Sequence, residues 1–539
     1  MLWYGWGERP GGGGMPDHAL AALRDELGLS GRSTPPVALE EVGLPHARLP
    51  GDVRAALAGV VGDGHVRDSR EERVRHSAGR SYPDLIRLRS GDAAEAPDAI
   101  VYPASHEEVA ELLELCAERR IAVVPFGGGT SVVGGVEPLR EGFESLVCLD
   151  LERLDALSVD RTSLLATLGA GLRGPQAEAR LEGRGLTLGH FPQSFEFATI
   201  GGYVATRSAG QASTGYGRID ELVTAVRCAT PAGDLETKPV PGTAAGPRLR
   251  ELIVGSEGTL GIITEATLAV RPLPRVRRYE GWSFRSFEDG AEALRRIEQA
   301  HASPDVARLS DEEETRLALT LASSGSAAEK AGMAYLRLRG HAGGCLAIVG
   351  WEGEADDVER RRSRTRGLLR AGGGLALGAR PGQAWLRGRY NGPYQRDALL
   401  DHDVMVETLE TATTWSNLTV LWRGVADALR TALRGRGTPP LGGCHVSHLY
   451  PSGASLYFTW LARRETGAEI DQWRTAKAAA CDAIVALGGT ITHHHAVGRD
   501  HAPWMTAEVG ELGVEVLRAA KQRLDPAGIM NPGKLLPAE

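Results

Sequence analysis

Lysine is scarce in this chain: only five stand among 61 basic residues, and these are outnumbered by 69 acids to leave a net charge of −8. That balance excludes a generally basic nucleic-acid binder, so no nucleic-acid partner is expected. Few lysines with abundant Arg, Ala and Gly fit a GC-rich bacterial gene. The six cysteines, at 116, 148, 228, 345, 444 and 481, form no CxxC pair. A zinc knuckle or redox dithiol is thereby disfavoured, and scattered reduced thiols of a cytosolic protein are expected. No apolar run approaches the roughly 18 residues of a membrane span. The start, "MLWYGWGERPGGGG", lacks a basic region followed by an apolar stretch, so no secretory signal is read. A cytoplasmic protein follows, with peripheral membrane contact and a homodimer left open. No internal repeat is visible.

What is present is length and glycine. A chain of 539 residues with 69 glycines can hold two or three cores, with many tight turns and close backbone approaches. Residues 1–80 read as a Gly/Pro-punctuated extension with one helix in "MPDHALAALRDELGL". Then "AIVYP", "SHEEVAELLELCAERR" and "IAVVPFGGG" give strand, helix and strand, with Ser105 as N-cap and arginines at the helix end. A second α/β stretch follows through "SLVCLDL", "LLATLGAG" and "GIITEATLAVRP". Arg271-Pro-Leu-Pro274 reads as a boundary, because two close prolines end a strand and stiffen a linker. Residues 275–505 read as more helical, and 506–539 as an amphipathic helix with a Pro/Gly-rich tail.

Three segments carry chemistry. "VPFGGGTSVVGG" places three glycines directly after a buried strand, offering N–H groups unobstructed by side chains to a pyrophosphate. It is neither a GxGxxG fingerprint nor a Walker loop. "GHFPQSFEFATIGGYVATRSAGQASTGYG" and "GSEGTLGIITEATL" add two more Gly/Ser/Thr-rich turns beside apolar runs. An elongated phosphate-bearing cofactor needs that much backbone approach.

These segments, with "WYGWG", "ETLETATTW", "HLYPSGASLYF", "THHHAVG" and "DPAGIMNPGKLL", resemble the vanillyl-alcohol-oxidase family of flavoproteins, and within it the alkyldihydroxyacetonephosphate synthase branch. The resemblance implies an α+β protein: a two-subdomain α/β FAD-binding (PCMH-type) domain over 81–274, and a cap domain over 275–505 with an antiparallel sheet flanked by helices. Residues 506–539 would return to the FAD domain. It implies FAD contacts from Pro125, Gly127, Gly128, Gly129, Thr130 and Ser131. Pro192, Ser194, Thr199, Gly202, Thr206 and Ser208 follow from the second segment, and Glu257, Gly258 and Ile263 from the third. His190 could carry a covalent flavin, but the synthase branch holds FAD non-covalently, and that is expected here.

The activity implied exchanges the acyl group of acyl-dihydroxyacetone phosphate for a long-chain fatty alcohol, with no net oxidation. The alternative is an FAD-linked oxidase or dehydrogenase of a 2-hydroxy acid or alcohol. His493, His494 and His495 follow a helix ended by Gly488 and Gly489 and read as an extended segment, with His493 and His495 on one face and His494 on the other. Mutual repulsion would keep such imidazoles partly neutral, as a general base requires. An extended strand would not converge adjacent histidines on one ion, so no metal is expected; a structural cluster stays open. The resemblance gives Tyr457 and Arg308 catalytic roles and Arg396 the substrate phosphate, for which a guanidinium fork suits. His448 and Tyr450 are weaker candidates.

Overall fold

In the computed structural model, which describes residues 1–9, 15–322 and 326–538, the α+β architecture is built on three principal sheets. The first has four strands in the order Val66–Arg67, Ala99–Val101, Ser145–Asp150 and Ile121–Phe126. Its last three are parallel, and their residues are almost all buried, as a parallel sheet covered on both faces requires. The expected crossover helix spans His106–Arg119. The Ser105 side chain caps it by accepting from the Glu108 N–H, and Arg120 in the left-handed region ends it.

The segment before residue 81 is more structured than the single helix read from its sequence. Besides Asp17–Leu27 it holds helices Gly51–Val61 and Arg70–Arg75. Val66–Arg67 joins the first sheet antiparallel, and Val53 and Leu57 share its core with Leu112 and Leu113. Short elements among glycines and prolines leave little periodicity to read. A second sheet of five antiparallel strands runs from Leu157–Asp160 to Gly233–Glu236, with Ile262–Ala269 at its centre.

The cap is a single eight-stranded sheet whose pairings are all antiparallel. Its order hides a duplication that the sequence does not display. Strand 276–284, helix 287–299, strands 306–310 and 345–353 and helix 355–371 are answered by strand 404–414, helix 418–435, strands 441–446 and 453–463 and helix 469–486. Leu309, Leu409, Leu456 and Phe458 join Leu421, Val425 and Ile484 in one core, each contributing about 1.5–3 kcal/mol by burial. Strand side chains alternate, so the residues between these point to the other face.

The C-terminal segment reaches the first sheet. The Val123 N–H donates to the Ile529 carbonyl and the Asn531 N–H to the Val123 carbonyl, both at 2.8 Å. Asn531 Nδ2 then donates to the carbonyls of Gly135 and Glu257 at 3.0 and 2.7 Å.

Candidate active site

The first glycine loop is a row of free donors. Among the described residues, none accepts a hydrogen bond from the N–H of Gly127, Gly128, Gly129, Thr130 or Ser131. The glycines are required by packing: a Cβ on Gly127 would meet Thr199 Oγ1, one on Gly128 would overlap the Phe197 carbonyl, and one on Gly129 would strike the Phe126 ring. The first and second segments therefore press together. Gly258, at φ +73°, lies against the Pro125 ring, which adds the third. This cradle of unpartnered N–H groups suits a pyrophosphate.

The hydroxyls nearby are hydrogen-bonded within the fold. Ser131 Oγ accepts from the Gly135 N–H at 2.9 Å, and Thr199 Oγ1 caps the helix Ile200–Ala205 through the Gly202 N–H. Thr206 Oγ1 donates to the Gly202 carbonyl, and Ser208 Oγ bonds His190 Nε2 at 3.1 Å. Pro192 and Ser194 supply the turn carbonyls that receive Phe195, Phe197 and Ala198, while Ile263 is packed in the second sheet's core. These residues shape the cradle; the backbone of the loop faces outward from it.

On the cap, three adjacent strands set a row across one face. Glu410 is directly opposite Tyr457, and Tyr457 is directly opposite His445. The neighbours Leu409, Leu456, Phe458 and Cys444 all point into the core, so the row lies on the face away from the cap's core. Tyr457 is thus not the core aromatic that an alternating strand usually holds. His445 stacks on it at 4.8 Å between centroids. Arg308 Nη2 and His445 Nδ1 meet one carboxylate oxygen, Glu314 Oε1, at 3.0 and 2.8 Å.

The histidine segment does not form the extended strand read from the sequence. The chain from Ile491 to Asp500 is bends and turns, with Ala496 at φ +74°. The N–H groups of His493, His494 and His495 all donate to the Glu410 carboxylate, the latter two at 3.0 and 2.7 Å, and Thr492 Oγ1 adds a fourth donor at 2.8 Å. Successive N–H groups of a strand point in opposite directions, so a strand could not make this nest. The alternation fails with it. His493 Nδ1 and His494 Nδ1 face each other at 2.9 Å, Tyr450 Oη meets His493 Nε2 at 2.6 Å, and His448 stacks on His493 at 4.9 Å. The geometric ground for excluding a metal also falls, since ligand atoms of His448, His493 and His494 lie within 4.8 Å of one another. Of their nitrogens, His448 Nδ1 is held by Ser213 Oγ at 2.6 Å.

Electrostatics follow from burial. Removal from water lowers the pKa of His495 to about 3 and holds His448 and His493 well below the ordinary imidazole value; His494 is lowered too. Desolvation is the largest cause at each of them, and repulsion from a neighbouring imidazole, the cause expected from sequence, adds to it at His448, His493 and His495. Burial alone would raise the Glu410 carboxyl, but the three histidines and their N–H donors more than reverse it and hold it well below its usual range. Burial likewise pushes Tyr450 and Tyr457 up to about 12.

Neutral imidazoles in this geometry form a proton wire. If Tyr450 donates to His493 Nε2, His493 Nδ1–H donates to His494 Nδ1. If His494 Nδ1–H donates instead, His493 Nε2–H returns to the phenol oxygen. The nitrogen that this chain leaves free is His494 Nε2. The wire is tied to the loop that leads into strand Ile262–Ala269 of the second sheet, because the Glu257 carboxylate accepts from the Val497 and Gly498 N–H groups at 2.8 and 2.7 Å. The N–H groups of Arg499 and Asp500 donate to the Val133 carbonyl, beside the glycine loop. Glu257 therefore uses its side chain to dock the histidine loop, while its N–H donates to the Ala205 carbonyl and its carbonyl accepts from Asn531.

Arg396 is not brought into the cluster's hydrogen-bond network. Its Nε and Nη2 hold Asp397 Oδ1 at 3.1 and 2.9 Å, and Nη1 donates to the Arg80 carbonyl. Sequence reasoning missed Glu410, His445, Glu314 and Ser213 and underrated His448 and Tyr450. Two acids, Glu407 and Glu410, inside the largely buried strand "VMVETLETATT" were the available signal for the first.

Fold and site together define a two-domain flavin-dependent enzyme. Residues 97–237 match the family described as FAD binding domain, and residues 273–535 match FAD linked oxidases, C-terminal domain. The chain is 36% identical over 533 residues to the alkyldihydroxyacetonephosphate synthase of Dictyostelium discoideum, covering 96% of this chain and 87% of that one. It is 35% identical over 477 residues to the enzyme of the same name from Trypanosoma brucei brucei, covering 86% and 77%. A solved structure of an alkyldihydroxyacetonephosphate synthase superposes with a TM-score of 0.85 at 32% identity over 99% of both chains. The chain belongs to the alkyldihydroxyacetonephosphate synthase family.

Proposed function

We propose that the protein exchanges the acyl group of an acyl-dihydroxyacetone phosphate for a long-chain fatty alcohol, forming an ether and releasing a fatty acid with no net oxidation. The observation that carries this reading is the buried, neutral wire Tyr450–His493–His494 beside Tyr457, bent into place by Glu410 and docked by Glu257. Exchange at a substrate carbon requires a proton to leave and to return. A base that stays neutral near pH 7, and can pass its proton inward, does both. His494 Nε2 takes the proton, and its Nδ1–H can pass to His493 Nδ1 so that the two imidazoles share the charge. The Tyr450 phenol oxygen accepts from His493 Nε2–H, and the Glu410 anion steadies the imidazolium that forms transiently.

FAD fits the cradle of free N–H groups at Gly127–Ser131; bound there non-covalently, it supplies the electron-poor ring that activates the substrate carbon. Arg308, fixed by Glu314, orients His445 under Tyr457 and is a positioning residue in this scheme. Arg396 reaches a substrate phosphate only with the guanidinium edge that Asp397 leaves free. The test is an exchange assay with purified, yellow protein: labelled fatty acid should be released when a fatty alcohol is added, with no electron acceptor present. Anaerobic bleaching of the flavin by a 2-hydroxy acid, without exchange, would establish the oxidase instead.

A further inference from the structure

A cavity of about 430 Å³ opens at the far end of the cap sheet, lined by Arg32, Asp403, Arg436, Arg463, Arg464 and Glu465 among others. It lies where the loop after the helix Asp17–Leu27 meets the start of strand Val404–Thr414 and the end of strand Gly453–Arg463. The register places it apart from the reaction centre: Val404 pairs Arg463 while Glu410 pairs Tyr457, six residues or roughly 20 Å along the strands.

Its charge is unbalanced. Four arginines face two carboxylates, and Glu465 is already taken by Arg436, at 2.8 Å from Nε and 2.7 Å from Nη2. Among the described residues, no carboxylate lies within ion-pair distance of Arg32, Arg463 or Arg464. Arg464 is only 7% exposed. Its Nη atoms donate to Thr34 Oγ1 and the Leu400 carbonyl, but its buried Nε has no partner. Asp403 is the carboxylate whose charge Arg464, Arg32 and Arg463 all act on, so three guanidiniums share one anion and the cavity stays net positive, which favours a further anion. Asp403, 6% exposed, adds a second demand, since its Oδ1 is also buried and unpartnered. Asp403 lines the cavity together with the arginines, so an anion carrying a hydroxyl meets both chemistries, its charge facing the guanidiniums and its hydroxyl donating to the carboxylate.

We propose that this cavity is a second ligand site, separate from the reaction centre, that takes a hydroxylated phosphomonoester: the phosphate on Arg32, Arg463 and Arg464, the hydroxyl on Asp403. The same chemistry is offered by a soluble polyol phosphate and by a lipid headgroup, so the experiment has two arms. The FAD-loaded full chain is titrated calorimetrically with glycerol 3-phosphate, and separately floated with vesicles containing phosphatidylglycerol phosphate. Each arm is repeated on the double variant Arg32→Gln/Arg463→Gln, whose side chains are exposed and carry no core packing. Binding in either arm that weakens tenfold or more in the double variant, with exchange turnover unchanged, supports the site and identifies its source. Asp403→Asn, a residue type that tolerates the φ of +62° found there, should also narrow the preference for glycerol 3-phosphate over inorganic phosphate. Equal affinity in wild type and double variant would place all binding at the reaction centre and overturn the proposal, as would no binding in either arm.

Discussion

Glu410 concentrates more of the site's chemistry than any histidine. Its carboxylate gathers four donors from residues 492–495, so one buried charge both bends the loop and sets the imidazole positions. Glu410→Gln keeps the size but presents an amide donor to a ring of donors. Breaking such a buried anion costs about 3–5 kcal/mol, and turnover should fall at least 100-fold while FAD stays bound. A variant with wild-type melting temperature and turnover would remove Glu410 from this role. Tyr450→Phe is a milder test of the wire, since it deletes one end without disturbing the nest. A loss of roughly 10–100-fold in kcat is expected, with KM little changed. An unaltered kcat would mean that the proton never travels past His494. The acid limb of the wild-type pH profile belongs to the same scale. With the imidazoles held below their ordinary value by burial, activity should persist well below pH 6.5, and a limb centred at 6.5 would contradict their desolvation.

At the scale of elements, legibility followed the range of the forces involved. The helix His106–Arg119 and the strands on either side were readable because N-cap, apolar spacing and C-terminal arginines act within a few residues. The glycine loop was readable as a turn for the same reason. Its partners were not, because the need for glycine at 128 comes from the Phe197 carbonyl some seventy positions on. Gly128→Ala should therefore abolish or sharply weaken FAD binding while leaving far-UV dichroism intact, which the visible spectrum of the purified variant reports. Full flavin occupancy would show that the loop can shift to admit a methyl group. The histidine segment was misread for a related reason. Alternation is a sound rule for strands, but a remote carboxylate converts three successive residues into a nest, and nothing local to "THHHAVG" encodes Glu410. The duplicated order of the cap escaped the sequence altogether, since strand pairing and helix packing tolerate many sequences that satisfy the same alternation.

At the scale of the whole molecule, catalysis depends on two domains being held in register, and the Glu257 carboxylate is the fastener. It accepts from the N–H groups of Val497 and Gly498, 240 and 241 residues further along the chain, and burial raises its pKa to about 7. The sign of the linkage is set by that direction. A carboxyl whose folded pKa lies above its unfolded value binds its proton more tightly in the native state. Its contribution to stability is therefore fully present below the unfolded value near 4.5 and is lost as pH rises through about 7. Burying the histidines neutral has the opposite slope, so the stability curve of the wild type mixes the two. The difference between wild type and Glu257→Gln isolates the carboxyl, because the amide does not titrate. The gap in unfolding free energy should move in favour of the wild type as pH falls from 8 to 5, measured by denaturant melts at matched ionic strength. Exchange turnover of the variant should fall at every pH, since an amide nitrogen cannot accept from the N–H it would face. A gap independent of pH would mean that Glu257 remains charged in the native state, and the docking of the histidine loop would then rest on an ion that the fold has found some other way to solvate.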